Sequence, residues 1–92
     1  MARFVVELEF GDDQEGRLAV RPAHREYLAT LVDRGKLLVA GPYADQTGAV
    51  LVYEAEDEEE LRALLAADPY TPAGVVAGTR VHEWEPGLGV WL

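Results

Sequence analysis

The sequence predicts an α+β fold: one four-stranded antiparallel sheet with two helices on one face, in the order βαββαβ. Three observations carry that expectation. Residues 3–10 alternate apolar and polar side chains with the period of two that a strand requires. Two stretches, one after Pro22 and one after Asp57, repeat apolar residues at helical spacing. Short apolar runs bounded by Gly and Pro stand between and after them.

In the first strand Phe4, Val6, Leu8 and Phe10 share one side, and Val5, Glu7 and Glu9 the other. Gly11–Gly16 reads as a polar loop. Arg17–Pro42 then reads as one helix followed by one strand. Pro22 suits the first turn of that helix, where its missing N–H costs nothing. Ala23, Tyr27, Leu28, Leu31 and Val32 recur at helical spacing, and Gly35 follows Asp33-Arg34 as a stop. Leu37–Ala40, ended by Gly41-Pro42, reads as the second strand, and Tyr43–Thr47 as a turn. Ala49–Glu54 is apolar on both sides and reads as a central strand with both faces covered.

Asp57 caps the second helix, with Glu60 three residues on as a variant of the capping box. The acidic run Glu54–Glu60 suits a solvated helix start better than a cation site. Leu61, Leu64 and Leu65 form the apolar stripe, Asp68 falls on the same stripe, and Pro69 disfavours further helix. Tyr70–Gly74 reads as a loop and Thr79–Glu85 as the last strand. The tail, residues 86–92, has no regular period, and its Trp91 and Leu92 are expected to dock on something. Residues 1–92 read as a single domain. The compact solution for this order is the ferredoxin-like plan, which the handedness of each βαβ unit supports.

Composition narrows the function. Eight basic residues against seventeen acidic ones give a net charge of −9, so neither nucleic acid nor an anionic membrane is expected as a partner. The apolar runs are too short to span a bilayer, and the apolar start is broken by Glu7 and Glu9. A soluble cytoplasmic protein is the simplest reading. There is no Cys, no Ser and no Asn, which excludes thiolate catalysis and a Ser-His-Asp triad. Two His and no Cys argue against a dedicated transition-metal site.

His24 is the best candidate for chemistry. It precedes Tyr27, Leu28 and Leu31 by three, four and seven residues, so it lies on the apolar stripe. A titratable ring aimed inward needs a partner or a purpose. In an antiparallel βαββαβ plan, the start of the first helix, the end of the second strand and the end of the second helix share one end of the molecule. His24, Gly41-Pro42 and Asp68-Pro69-Tyr70 should therefore gather there. A carboxylate beside an imidazole fixes its tautomer and favours its charged form. In a partly apolar pocket such a dyad serves as a general acid or base. Arg21 is placed to hold an anionic or phenolic oxygen, Tyr43 and Tyr70 to line the mouth, and Gly41 to leave room for close approach.

A purely structural reading stays open. His24 can be held by one hydrogen bond, and Asp68 can cap the helix end or bind turn N–H groups of Thr71 or Gly74. His82 alternates with Val81 and Glu83 and is expected on the opposite side of the sheet. Val5, Val50, Val52 and one of Leu38 or Val39 would leave that opposite side apolar. A two-fold homodimer through the open sheet face is the expected consequence.

The combination Arg21-Pro22-Ala23-His24, Gly41-Pro42 and Asp68-Pro69-Tyr70 resembles the YciI-like (YCII-related) family over Arg3 to about Trp84. The resemblance implies a dimeric ferredoxin-like α+β fold, similar to muconolactone isomerases and small antibiotic-biosynthesis-type monooxygenases. It also implies an active site built on His24 and Asp68. Some relatives are linked to degradation of chlorinated aromatics, acting on hydroxyquinol-type compounds without a cofactor. Three functional readings follow. The first is a cofactor-independent enzyme of lyase, isomerase or dehydrochlorinase type acting on a small molecule. The second is a non-catalytic small-molecule binding or sensor domain, and the third a structural dimerisation module.

Overall fold

A computed structural model describes residues 1–92. Its elements are β1 (Ala2–Phe10), α1 (Gln14–Asp33), β2 (Leu37–Pro42), β3 (Gly48–Ala55), α2 (Glu58–Ala66), α3 (Tyr70–Ala73) and β4 (Val76–Glu83). The strands form one antiparallel sheet in the order β2-β3-β1-β4, the predicted ferredoxin-like topology.

Register assigns the faces. Phe4, Val6 and Leu8 stand opposite Tyr53, Leu51 and Ala49 of β3. With Leu31 of α1 and Leu61 and Leu64 of α2 they form the core. Gly48 opens β3 where no other residue fits, because a Cβ there would run into the Leu8 carbonyl. In β2 the register slips between Leu37 and Val39. Leu37 therefore stays in the core while Leu38 and Val39 are about half exposed.

The first helix differs from expectation at its start. Asp13 is the N-cap, and its Oδ1 accepts from the Gly16 N–H at 2.9 Å. The acidic, Gly-rich stretch that reads as loop therefore contains the cap and the first turn. Pro22 sits inside the helix, not in its first turn. It removes the hydrogen bond to the Leu18 carbonyl, but Pro22 and Leu18 both lie on the exposed side, where water can serve that oxygen. The buried stripe is Arg17, His24 and Leu31, with Tyr27 and Leu28 half-buried beside it. Ala23 and Val32 are exposed and lie off the stripe. At the far end the Gly35 N–H bonds the Val32 carbonyl and the Lys36 N–H the Leu31 carbonyl, with Gly35 at φ 71°. That is the Schellman arrangement, which favours glycine at this position.

Asp57 caps α2 by accepting from the Glu60 N–H at 2.9 Å. The Glu60 carboxylate reaches back to the Glu56 N–H at 2.8 Å and pairs with Lys36 Nζ at 3.1 Å. These bonds hold its pKa below the ordinary carboxylate value, the backbone bond contributing most. The acidic run is thus used in capping, and no cluster of ligating side chains able to hold a metal occurs in the chain. Tyr70–Ala73, expected as loop, forms one helical turn. It is secured by the Tyr70 N–H on Asp68 Oδ1 at 2.9 Å and the Thr71 hydroxyl on the Leu65 carbonyl at 2.8 Å.

The last strand starts at Val76 and ends at Glu83, earlier at both ends than the spacing suggests. Trp91 and Leu92 are mostly exposed and dock on nothing within the chain. The open sheet face carries Val5, Val39, Val50 and Val52, flanked by Arg3–Glu54 and Arg80–Glu7 ion pairs. It is not covered from within the chain, as expected of a face left apolar by the helices; Val50 is 37% exposed. No helix is long and apolar enough to cross a membrane.

Candidate active site

His24 lies in the middle of α1, on its sheet-facing side, and is 9% exposed. Asp68 follows the end of α2 and is 4% exposed. The two meet: His24 Nδ1 is 2.7 Å from Asp68 Oδ1 and 2.9 Å from Oδ2. An ionised carboxylate only accepts, so the proton of a neutral imidazole sits on Nδ1 and Nε2 keeps its lone pair. Nε2 makes no hydrogen bond within the chain, nor is it sealed from solvent. Asp68 Oδ1 also accepts the Tyr70 N–H. One carboxylate therefore orients the imidazole and starts α3, which joins the two readings its sequence position left open.

Tyr70 completes the packing. Its ring stacks on the imidazole at 3.7 Å between centroids and 3° between planes. Phe10 meets Tyr70 edge-on at 6.1 Å. The Arg17 guanidinium lies over Phe10, 4.3 Å from the ring centroid. His24, Tyr70, Phe10 and Arg17 thus form one continuous row along a cleft of about 240 Å³ between α1 and the sheet, with Asp68 bonded to His24 from behind. That volume is below the usual range for drug-sized ligands and suits a molecule of about one ring.

Arg21, Gly41, Pro42 and Tyr70 line this cleft together with His24. Asp68 stands behind His24 and does not line it. Tyr43 lies outside, its ring against Gly48 in a neighbouring groove with Glu7 and Glu9. The turn after Pro42 carries it away: the Tyr43 N–H bonds the Gly48 carbonyl at 2.9 Å. Two charged lining residues, Arg17 and Arg25, escaped the sequence reading. Their signal is the spacing Arg17, Arg21, Arg25, one stripe of a helix. It is readable only once the helix is taken back to Asp13.

Asp68 also acts on two phenols behind the site. Burial, and next the Asp68 charge, push the Tyr27 hydroxyl above its ordinary pKa. Its O–H donates to the Leu64 carbonyl at 2.6 Å. Burial pushes Tyr53 up further, with smaller contributions from Asp68 and Tyr27, and its hydroxyl has no hydrogen-bond partner. His82 occupies the opposite sheet face, with Nε2 3.4 Å from Glu7 Oε2 and its side chain 60% exposed.

The chain is 43% identical over 74 residues to protein YciI of Escherichia coli, covering 70% of this chain and 76% of that one. Among solved structures, a 5-chloro-2-hydroxyhydroquinone dehydrochlorinase (TftG) from Burkholderia phenoliruptrix, in complex with 2,5-dihydroxybenzoquinone, superposes with a TM-score of 0.81. That match has 30% identity over 92% of this chain and 95% of TftG. An antibiotic biosynthesis monooxygenase superposes with a TM-score of 0.60 at 16% identity, over 96% of this chain and all of that one, which is likeness of fold alone. The YCII-related domain matches residues 2–85, and the chain belongs to that family.

Proposed function

We propose that the cleft is the active site of a cofactor-independent enzyme that moves protons on a small hydroxylated ring, with lyase, isomerase or dehydrochlorinase-type chemistry. The observation that carries this reading is the buried His24 Nδ1–Asp68 contact at 2.7 Å, which leaves Nε2 unbonded at the cleft. The likeness to TftG supports the substrate class.

His24 Nε2 takes a proton from a ring hydroxyl and returns it to the ring carbon bearing a leaving group. Asp68 holds the imidazole in the required tautomer and stabilises the imidazolium between the two transfers. Arg21 stabilises the oxyanion left on the ring. Where the leaving group is a halide, it departs with its bonding pair as a second hydroxyl proton is lost. The net change is loss of H⁺ and halide, the ring reaches the quinone level, and no external oxidant is consumed.

The test is turnover of chlorinated hydroxyquinols followed by halide release. His24→Ala should lower the rate by ~10²–10⁴-fold. Full activity in His24→Ala would remove the assignment. The Tyr70 N–H on Asp68 favours a second reading, in which the pair only secures α1 to the α2–α3 junction. That reading expects no turnover and earlier unfolding of the same variant.

The proposal extends to assembly. Val39 and Val50 are 49% and 37% exposed beside Val5 and Val52, and a second copy packed face to face would cover them. Light scattering should give twice the 10.1 kDa chain mass, and Val50→Asp should halve it. A single-chain mass for the wild type would refute the dimer.

A further inference from the structure

Arg17 is 5% exposed, yet its guanidinium makes no hydrogen bond or ion pair within the chain; its one side-chain contact of note is the Phe10 ring. That is unusual in a protein with seventeen carboxylates and eight basic residues. Four of the eight, Arg3, Lys36, Arg62 and Arg80, have ion-pair partners. Of the four that do not, Arg17, Arg21 and Arg25 all line the His24 cleft. No carboxylate lines it. A buried cation without a counter-charge is costly, and a partner must come from somewhere. None of the guanidinium nitrogens is sealed off, so the unmet donors face the cleft.

We infer that the cleft takes a single-ring ligand bound as its anion, with a ring-attached carboxylate or ionised hydroxyl neutralised by Arg17 beside Arg21, and that Arg17 selects for this charge. The inference rests on the cleft being a ligand site, and it names the ionic state of the ligand before any chemistry occurs. Arg17 is well suited to the role. Its guanidinium packs over the Phe10 ring at 4.3 Å, and a planar fork held against a ring loses little freedom when it binds a planar anion. Arg17, Arg21 and Arg25, with no carboxylate among the lining residues, make the cleft a local positive site in an otherwise acidic protein, which discriminates against neutral ring compounds of the same shape.

Calorimetric titration of the whole protein tests this with three probes: benzoate, 4-nitrophenolate at a pH where it is ionised, and benzamide as the neutral control. The wild type should bind at least one of the two anions about tenfold or more tighter than benzamide, and the anion preferred distinguishes carboxylate from phenolate. Arg17→Met should erase that preference while leaving benzamide affinity unchanged. Unliganded, it should unfold no earlier than wild type, since a buried unpaired charge is gone. Equal binding of anions and benzamide by the wild type overturns the inference without reference to any variant. So does absence of binding by all three at about 1 mM, and so does an Arg17→Met that keeps the preference. Should that variant not fold, Arg17→Gln reads the same quantity. His24→Ala separates the two proposals: lost turnover with intact anion preference supports both, while intact turnover with intact preference sinks the catalytic reading alone.

Discussion

Each face of the sheet carries one histidine beside one carboxylate, and the two pairs differ in almost every physical respect. On the helix-covered face His24 and Asp68 touch at 2.7 Å with both side chains nearly buried. On the open face His82 and Glu7 are 3.4 Å apart, and Glu7 is shared with Arg80. Water screens the second pair, competes for its hydrogen bonds and lets both side chains move. Nothing screens the first, and Tyr70 clamps the ring from one side. The same two residue types therefore give a defined tautomer with a free nitrogen in one place and a loose surface contact in the other. Chemistry needs the enclosure as much as the residues.

The largest expected break in that contrast is Asp68→Asn. The amide keeps an acceptor for the Tyr70 N–H but loses the charge that stabilises an imidazolium, so turnover should fall by ~10²-fold or more with the fold retained. Rate and urea midpoint measured on one preparation would check both halves.

Next comes alkaline pH. Burial raises both Tyr27 and Tyr53 above their ordinary value in the folded state. Their contribution to stability is full below the unfolded value near about 10 and is lost as pH rises through the folded ones. The urea midpoint should therefore drop above about pH 10. Tyr53→Phe should flatten the drop, and near neutral pH it should be neutral or stabilising by up to about 1 kcal/mol, because it removes a hydroxyl with no partner. A clear loss of stability in Tyr53→Phe would show that the hydroxyl has a partner after all.

The smallest effect belongs to the open face. His82→Ala should leave turnover unchanged and alter stability by less than about 0.5 kcal/mol. A rate loss comparable to that of Asp68→Asn would erase the distinction between the faces.

Much of this was readable beforehand. The order of elements, the Asp57 cap and the sides taken by Phe4, Val6 and Leu8 follow from local periodicity. The meeting of His24 with Asp68 follows from chain direction in an antiparallel plan. What escaped was decided by contacts that no period reveals. Asp13 begins a helix because its side chain finds the Gly16 N–H, while the surrounding composition reads as loop. That one cap moved Pro22 inward and put Arg17 onto the buried stripe, where a charged residue is the least expected occupant. Tyr70 begins a turn of helix because Asp68 receives its N–H. Tyr43, expected at the mouth, lies elsewhere because the tight turn bonds its N–H to the Gly48 carbonyl.

The strand order bears on how the molecule comes together. β1 lies between β3 and β4, so the first strand made pairs with residues 48–55 and 76–83. Only β2 and β3 pair across a short turn. The contact between residues 24 and 68 closes after a loop of 44 residues. Each distant closure costs entropy before it returns any contact energy, which slows folding relative to chains built of neighbouring pairs. During synthesis β1 emerges before β3 and β4 and waits with both edges unpaired while the rest of the sheet is made. The charges it carries itself, Arg3, Glu7 and Glu9, then disfavour pairing with the wrong strand.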